Sequence, residues 1–179
     1  IAFDGAYDDI NRKLYTVLQP YAGEPQTRLM TFSGADGTVL ADVPISTTLE
    51  IDHLAYDAPA GTLWALGYDA ATGAERLASI DTATGVVTPL GSGAANCCYR
   101  MVTDVAIDPG AQVLIAPMVD SSATGYPVPT FFRFSLATGE VLGTAPIDEA
   151  YSLYYIAYDP MPAAPPTPTA PPTPTATAT

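Results

Sequence analysis

A four-residue block of apolar residue, Ala, apolar residue and Asp recurs along this chain at a nearly constant interval. It reads Ile1-Ala2-Phe3-Asp4, Leu54-Ala55-Tyr56-Asp57, Val105-Ala106-Ile107-Asp108 and Ile156-Ala157-Tyr158-Asp159, so the aspartates lie 53, 51 and 51 residues apart. A fixed period of this length is the mark of a repeat architecture, in which each unit buries its apolar face against the next. Because the aspartate recurs in every unit, it is read as a fold residue that accepts backbone N–H groups in the turn after the first strand of each repeat, not as a catalytic carboxylate.

A second block follows the first three at similar offsets: Phe32-Ser33-Gly34-Ala35-Asp36-Gly37-Thr38-Val39, Ile80-Asp81-Thr82-Ala83-Thr84-Gly85-Val86-Val87 and Phe134-Ser135-Leu136-Ala137-Thr138-Gly139-Glu140-Val141. Each reads as strand, turn, strand, with Ser or Asp capping the turn and Gly supplying its positive φ. The second unit shows four strands, at His53–Tyr56, Gly61–Leu66, Arg76–Ile80 and Val86–Leu90, separated by the turns Asp57–Gly61 and Asp69–Gly73. The strands are short, β-branched and aromatic, with no sustained helical period. Four short antiparallel strands per ~50 residues predict the blade of a β-propeller. The hairpin Ala78–Val87 resembles the Ile-Asp-x-x-Thr-Gly-x-Val hairpin of bacterial extracellular β-propeller repeats of the YVTN and quinoprotein-like kinds. That resemblance covers residues 1–159 and implies architecture without implying an activity, because the fold carries many functions.

The expected class is therefore all-β and β-propeller-like. Its units are 1–52, 53–103 and 104–150, followed by an extra strand at 151–159 and a Pro/Thr-rich stalk at 160–179. Propellers commonly have roughly four to eight blades, so three units leave the ring unclosed. The extra strand, Leu153, Tyr154, Tyr155, Ile156, Ala157 and Tyr158, then lacks strands of its own, and an uncovered apolar strand invites pairing with another chain. Three resolutions stand: the chain is a fragment of a longer propeller, the strand packs back on the first unit, or it docks on the sheet edge of a neighbouring copy. The last joins subunits head to tail, into a closed ring or an open filament. It makes copies of the chain itself the expected partner.

The stalk holds eight Pro, six Thr, five Ala and one Met, with the tandem Ala164–Thr169 and Ala170–Thr175. This much proline excludes helix and sheet and favours an extended polyproline II rod of about 3.1 Å per residue, or a disordered tail. Thr with Pro is the composition of O-glycosylated stalks, which makes Thr167, Thr169, Thr173, Thr175, Thr177 and Thr179 the candidate glycan carriers. A bare spacer is the alternative. No Asn-x-Ser/Thr acceptor is present.

Nineteen acids against six bases give a net charge of −13, which repels nucleic acid and anionic lipid. Charged residues are 14% of the chain, about half the usual share. The surface must then be built largely of Ser, Thr, Gly, Ala and Tyr, as in secreted and cell-surface β proteins. No apolar run approaches the ~18 residues of a membrane span. The chain opens at Ile1 without a basic-plus-apolar leader, which fits a processed mature chain or a window from a longer one. The expected location is extracellular or on the cell surface, bacterial by the resemblance.

No constellation of catalytic residues stands out. Cys97 and Cys98 are adjacent, and in an oxidising compartment they are expected to form a disulfide across a distorted turn; two free thiols, or metal or redox chemistry, are the alternatives. His53 is the sole histidine, which is too few for a zinc site, and no Gly-x-Ser-x-Gly elbow accompanies it. Gly91-Ser-Gly93-Ala-Ala-Asn96 begins like a dinucleotide loop but lacks the last Gly and a following helix. Asp4, Asp8, Asp9 and Asn11 offer hard oxygens for calcium, without the EF-hand order; solvated turn carboxylates are the plainer reading. Tyr126, in the insertion Asp120–Pro129, is a candidate for sugar or protein contact. The sequence thus predicts a non-enzymatic extracellular surface or fibre subunit with no cofactor. A stalk-tethered module binding carbohydrate or a protein is the alternative, and a quinoprotein- or lactonase-like enzyme ranks behind both.

Overall fold

The computed structural model describes residues 2–19, 26–95, 104–120 and 128–147. These are strands and turns throughout, arranged as three antiparallel sheets whose strands follow one another in chain order. The first sheet is β1 (Ala2–Asp8), β2 (Lys13–Leu18), β3 (Arg28–Ser33) and β4 (Val39–Pro44). The second is β5 (Leu49–Asp57), β6 (Thr62–Asp69), β7 (Ala74–Ile80) and β8 (Val87–Pro89), with the two-residue β9 (Ala94–Ala95) also paired to β7. The third is β10 (Ala106–Asp108), β11 (Val113–Asp120), β12 (Val128–Ser135) and β13 (Val141–Pro146). An all-β chain of three four-stranded antiparallel repeats is what the sequence led one to expect.

Tight turns with shared chemistry set this order. In each sheet an aspartate ends the first strand and caps the turn behind it: Asp8 Oδ1 accepts the Asn11 N–H at 2.9 Å, Asp57 Oδ1 that of Ala60 at 3.3 Å, and Asp108 Oδ1 that of Ala111 at 2.9 Å. Four residues after each aspartate the backbone turns left-handed, at Arg12, Gly61 and Gln112 (φ 54°, 66° and 54°). The turn between third and fourth strands also recurs. Gly37 N–H donates to Ser33 O, Gly85 N–H to Asp81 O and Gly139 N–H to Ser135 O, at 2.9, 2.8 and 2.8 Å.

One assignment from the sequence needs correction. Asp4 lies inside β1, and the turn aspartate of the first unit is Asp8, which pairs with Lys13 as Asp57 pairs with Thr62 and Asp108 with Val113. The first repeat is four residues out of phase because the Ile1–Asp4 block imitates the motif at the start of β1, whose end is Asp8; in the second sheet β5 begins at Leu49, not His53, and absorbs a bulge between Ile51 and His53.

The sheets pack face to face, and the middle one is covered on both sides. Alternate residues of β6 point to opposite faces. Leu63 and Ala65 join Leu54 and Ile80 against Tyr15, Val17 and Leu29 of the first sheet. Trp64 and Leu66 join Leu77 against Leu114, Ala116, Phe132 and Phe134 of the third. Burial on both faces is why Leu63–Leu66 is a continuous apolar run and not an alternating one. The fourth strands β4 and β13 are mostly exposed or half-exposed. The first strands lie together, β5 packing against both β1 and β10.

The extra strand at Leu153–Tyr158, the stalk with its six threonines, Cys97, Cys98 and Tyr126 lie outside the described residues.

Candidate assembly interface

The sheet-to-sheet contact occurs twice, and its polar centre is best developed between the first two sheets. Asp8, only 1% exposed, ends β1. Its Oδ1 and Oδ2 accept the backbone N–H and side-chain Nδ2 of Asn11, at 2.9 and 2.8 Å, and the hydroxyl of Tyr56 on the second sheet donates to the same carboxylate. The Tyr56 ring stacks on Tyr15 with centroids 5.4 Å apart and planes 27° from parallel. Burial works to raise the Asp8 pKa, but the hydrogen bonds from Asn11 and Tyr56 outweigh it and hold the carboxyl below its usual range. Desolvation, then the bond to Asp8 and its negative charge, push Tyr56 up to about 12. Asp8 is thus committed to joining two sheets and does not face outward with Asp9 as a calcium ligand.

The same positions between the second and third sheets carry different residues. Asp57 corresponds to Asp8 and Trp64 to Tyr15, but Ile107 stands where Tyr56 stands. Without that hydroxyl, Asp57 Oδ2 and Trp64 Nε1 are both buried with no hydrogen-bond partner among the described residues. This contact is held by apolar packing and by an outer clasp, in which Glu140 accepts the Ser92 N–H at 2.9 Å and the Ser92 hydroxyl at 3.0 Å.

The hairpin turn of each later sheet also seats on the end of the sheet before it. A Cβ on Gly85 would lie 2.2 Å from Pro44 O, and one on Gly139 would lie 2.3 Å from Leu90 O. Ser46 and Val86 form a parallel bridge at the first of these seats. Gly91, in the segment that resembled a dinucleotide loop, has its Cβ position 2.6 Å from Thr138 O. Its glycine is explained by this close approach between sheets. The chain then runs into β9.

The first sheet repeats this architecture with no sheet in front of it among the described residues. Tyr7, Leu14, Phe32 and Val39 occupy the places of Tyr56, Leu63, Ile80 and Val87 in the second sheet and of Ile107, Leu114, Phe134 and Val141 in the third. Leu63 and Leu114 are fully buried, whereas Leu14 is 40% exposed, Tyr7 50% and Val39 55%. Gly37, the counterpart of Gly85 and Gly139, has open space around its Cβ position. Sequence reasoning placed the assembly strand at Leu153–Tyr158, outside the described residues, and did not single out this face. The signal was available: Ala6-Tyr7-Asp8 matches Ala55-Tyr56-Asp57 and puts Tyr7, Leu14 and Phe32 in register with buried residues.

Other candidates have structural placements. His53 lies in β5, paired with Leu66. Among the described residues no three His, Cys, Asp or Glu side chains converge as a metal site, and no helix is long and apolar enough to cross a membrane.

These features define a repeat protein of stacked four-stranded antiparallel sheets. No family model matches the chain, and no curated protein does. Among solved structures it is similar to Kuenenia stuttgartiensis hydrazine synthase, at 12% identity over 82% of this chain and 49% of that one, with a TM-score of 0.40. It is also similar to a chain of a nidogen/laminin complex, at 13% identity over 88% of this chain and 84% of that one, with a TM-score of 0.37. The chain spans about half the length of the hydrazine synthase chain.

Proposed function

We propose that this chain is a non-enzymatic extracellular structural protein, a surface or fibre subunit whose sheets are propeller-like blades and which joins copies of itself head to tail. The observation that carries this reading is the uncovered face of the first sheet. Its Leu14 stands at a position that the other two sheets bury completely, and Tyr7 and Val39 are more exposed than their buried or half-buried counterparts; a face of that kind is normally an interaction site. A heterologous contact between the two ends of one stack propagates into a ring or filament. The strand Leu153–Tyr158 pairs along a neighbour's sheet edge and clasps the contact, and the Pro/Thr stalk projects from it bearing O-glycans.

Negative-stain microscopy of the purified full chain tests this reading. Rings or filaments are expected, and deletion of Leu153–Asp159 should disperse them. Isolated single particles at every concentration would overturn the assembly, and filaments that survive the deletion would remove the strand from it. Intact-mass spectrometry of the tail should show hexose-sized increments, and a single unmodified mass would remove the glycans.

A further inference from the structure

Residues 44–57, which lead from the first sheet into the second and include all of β5, match residues 146–159 without a gap. Both stretches open on Pro-Ile and close on Ala-Tyr-Asp, and Leu49, Ile51 and Leu54, all buried, correspond to Tyr151, Leu153 and Ile156. Tyr56 follows Ile45 by eleven residues and Tyr158 follows Ile147 by eleven. The two stretches also leave their sheets alike. Ile45 N–H donates to Thr27 O and Ile147 N–H to Pro129 O, each at 2.8 Å. Ile45, 5% exposed, belongs to the core between the first two sheets; Ile147, 8% exposed, belongs to neither of the two described cores.

The surface that receives β5 is repeated as well. On the first sheet it is Ala6, Tyr15, Val17 and Leu29, with Asp8 at the strand end. Strand register puts Ala106, Ile115, Pro117 and Phe131 at those places in the third sheet, and Asp108 at the place of Asp8. Ala106 and Pro117 are buried and Ile115 and Phe131 half-buried, yet none of the four belongs to the core shared with the second sheet. Those β11 and β12 residues alternate with Leu114, Ala116 and Phe132, which do belong to it, and so lie on the opposite face.

We infer that residues 151–159, which lie outside the described residues, seat on this face of the third sheet of their own chain as β5 seats on the first, with the Tyr158 hydroxyl donating to Asp108. The occupant is this segment because it continues directly from Ile147 and has the length that already carries Tyr56 to Asp8. It also presents an apolar residue at each place where β5 buries one. The contact restores the polar lock that Ile107 omits between the second and third sheets. Because β5 meets the first sheet through a face and β6 through an edge, the seated segment keeps an edge for the neighbouring copy proposed above.

The seat lies within one chain, so its test is separate from that of the assembly. In full-length chain carrying Cys97→Ser and Cys98→Ser, Asp108→Cys and Tyr158→Cys are placed together and treated with a short bismaleimide. A bridged monomer, with both thiols consumed by one reagent, is the expected result. Tyr158→Phe should lower the folding equilibrium constant about tenfold, and less than twofold once Asp108→Ala is present. Bridges formed only between separate chains bearing one cysteine each would overturn the seat and leave the assembly standing. An equal loss from Tyr158→Phe with and without Asp108 would also overturn the seat. A bridged monomer in a chain that never assembles would uphold the seat and overturn the assembly.

Discussion

Asp8 and Tyr56 lie 48 positions apart in the chain, on different sheets, and a hydrogen bond from the tyrosine hydroxyl to the buried carboxylate joins them. Their repeat counterparts, Asp57 and Ile107, cannot make that bond. Comparing the two contacts measures what the polar lock adds to apolar packing. Tyr56→Phe should destabilise the chain by about 1–2 kcal/mol, read from denaturant unfolding. Asp8→Asn should cost more than Asp57→Asn, because Asp8 accepts several hydrogen bonds and Asp57 already has an oxygen without one. Equal losses from the two asparagine variants would contradict the lock.

The pH dependence has a definite sign at each end. Tyr56 is held at about 12 in the folded chain, above the ordinary 10. Its contribution is therefore complete below pH 10 and is lost as pH rises from there toward 12. Asp8 has a depressed folded value, so its contribution is complete above the ordinary carboxylate value of 3.8 and is lost as pH falls below it. Asp36, Asp69 and Asp81 share that direction, led by the Ser33 side chain and the Ala71 and Thr84 backbone N–H groups respectively. Thermal unfolding across pH should show both shoulders. Tyr56→Phe should flatten the alkaline one and Asp8→Asn part of the acid one.

Gly37, Gly85 and Gly139 share φ near +73° (73°, 72° and 73°), so alanine at any of them carries a backbone strain of about 1–2 kcal/mol. At Gly85 and Gly139 the new Cβ also meets backbone oxygen of the preceding sheet, adding roughly 1–3 kcal/mol. Gly37→Ala should therefore be the mildest of the three in the monomer, as read from unfolding midpoints. Three equal losses would mean that the turns do not bear on the neighbouring sheet.

Leu14, Leu63 and Leu114 are the same position in three sheets. Leu63→Ala and Leu114→Ala should each cost about 2–5 kcal/mol through the cavity left behind. Leu14→Ala should cost the monomer no more than about 0.5 kcal/mol. A large loss at Leu14 would show that its face is already covered within one chain.

Much of the fold was legible because turns carry local chemistry. The Asp57 and Asp108 caps and the Gly37, Gly85 and Gly139 turns were all visible as recurring letters, since a positive φ and an N–H acceptor restrict which residues serve. The phase of the first repeat was not, because the Ile1–Asp4 block imitates the motif four residues early and only strand pairing shows that Asp8 makes the turn. The Tyr56–Asp8 lock was hidden for a related reason. It joins residues brought together by packing between sheets, and no local pattern encodes such a contact. The open face was legible only once Tyr7, Leu14 and Phe32 could be set in register with residues whose burial was known.

Sedimentation velocity of the full chain over a wide concentration range, beside Leu14→Glu, tests the uncovered face most directly. The parent should shift to progressively larger species as concentration rises, while the charged variant remains a folded monomer. A parent that sediments as one monomeric species throughout, or a Leu14→Glu chain that assembles as the parent does, would contradict the account.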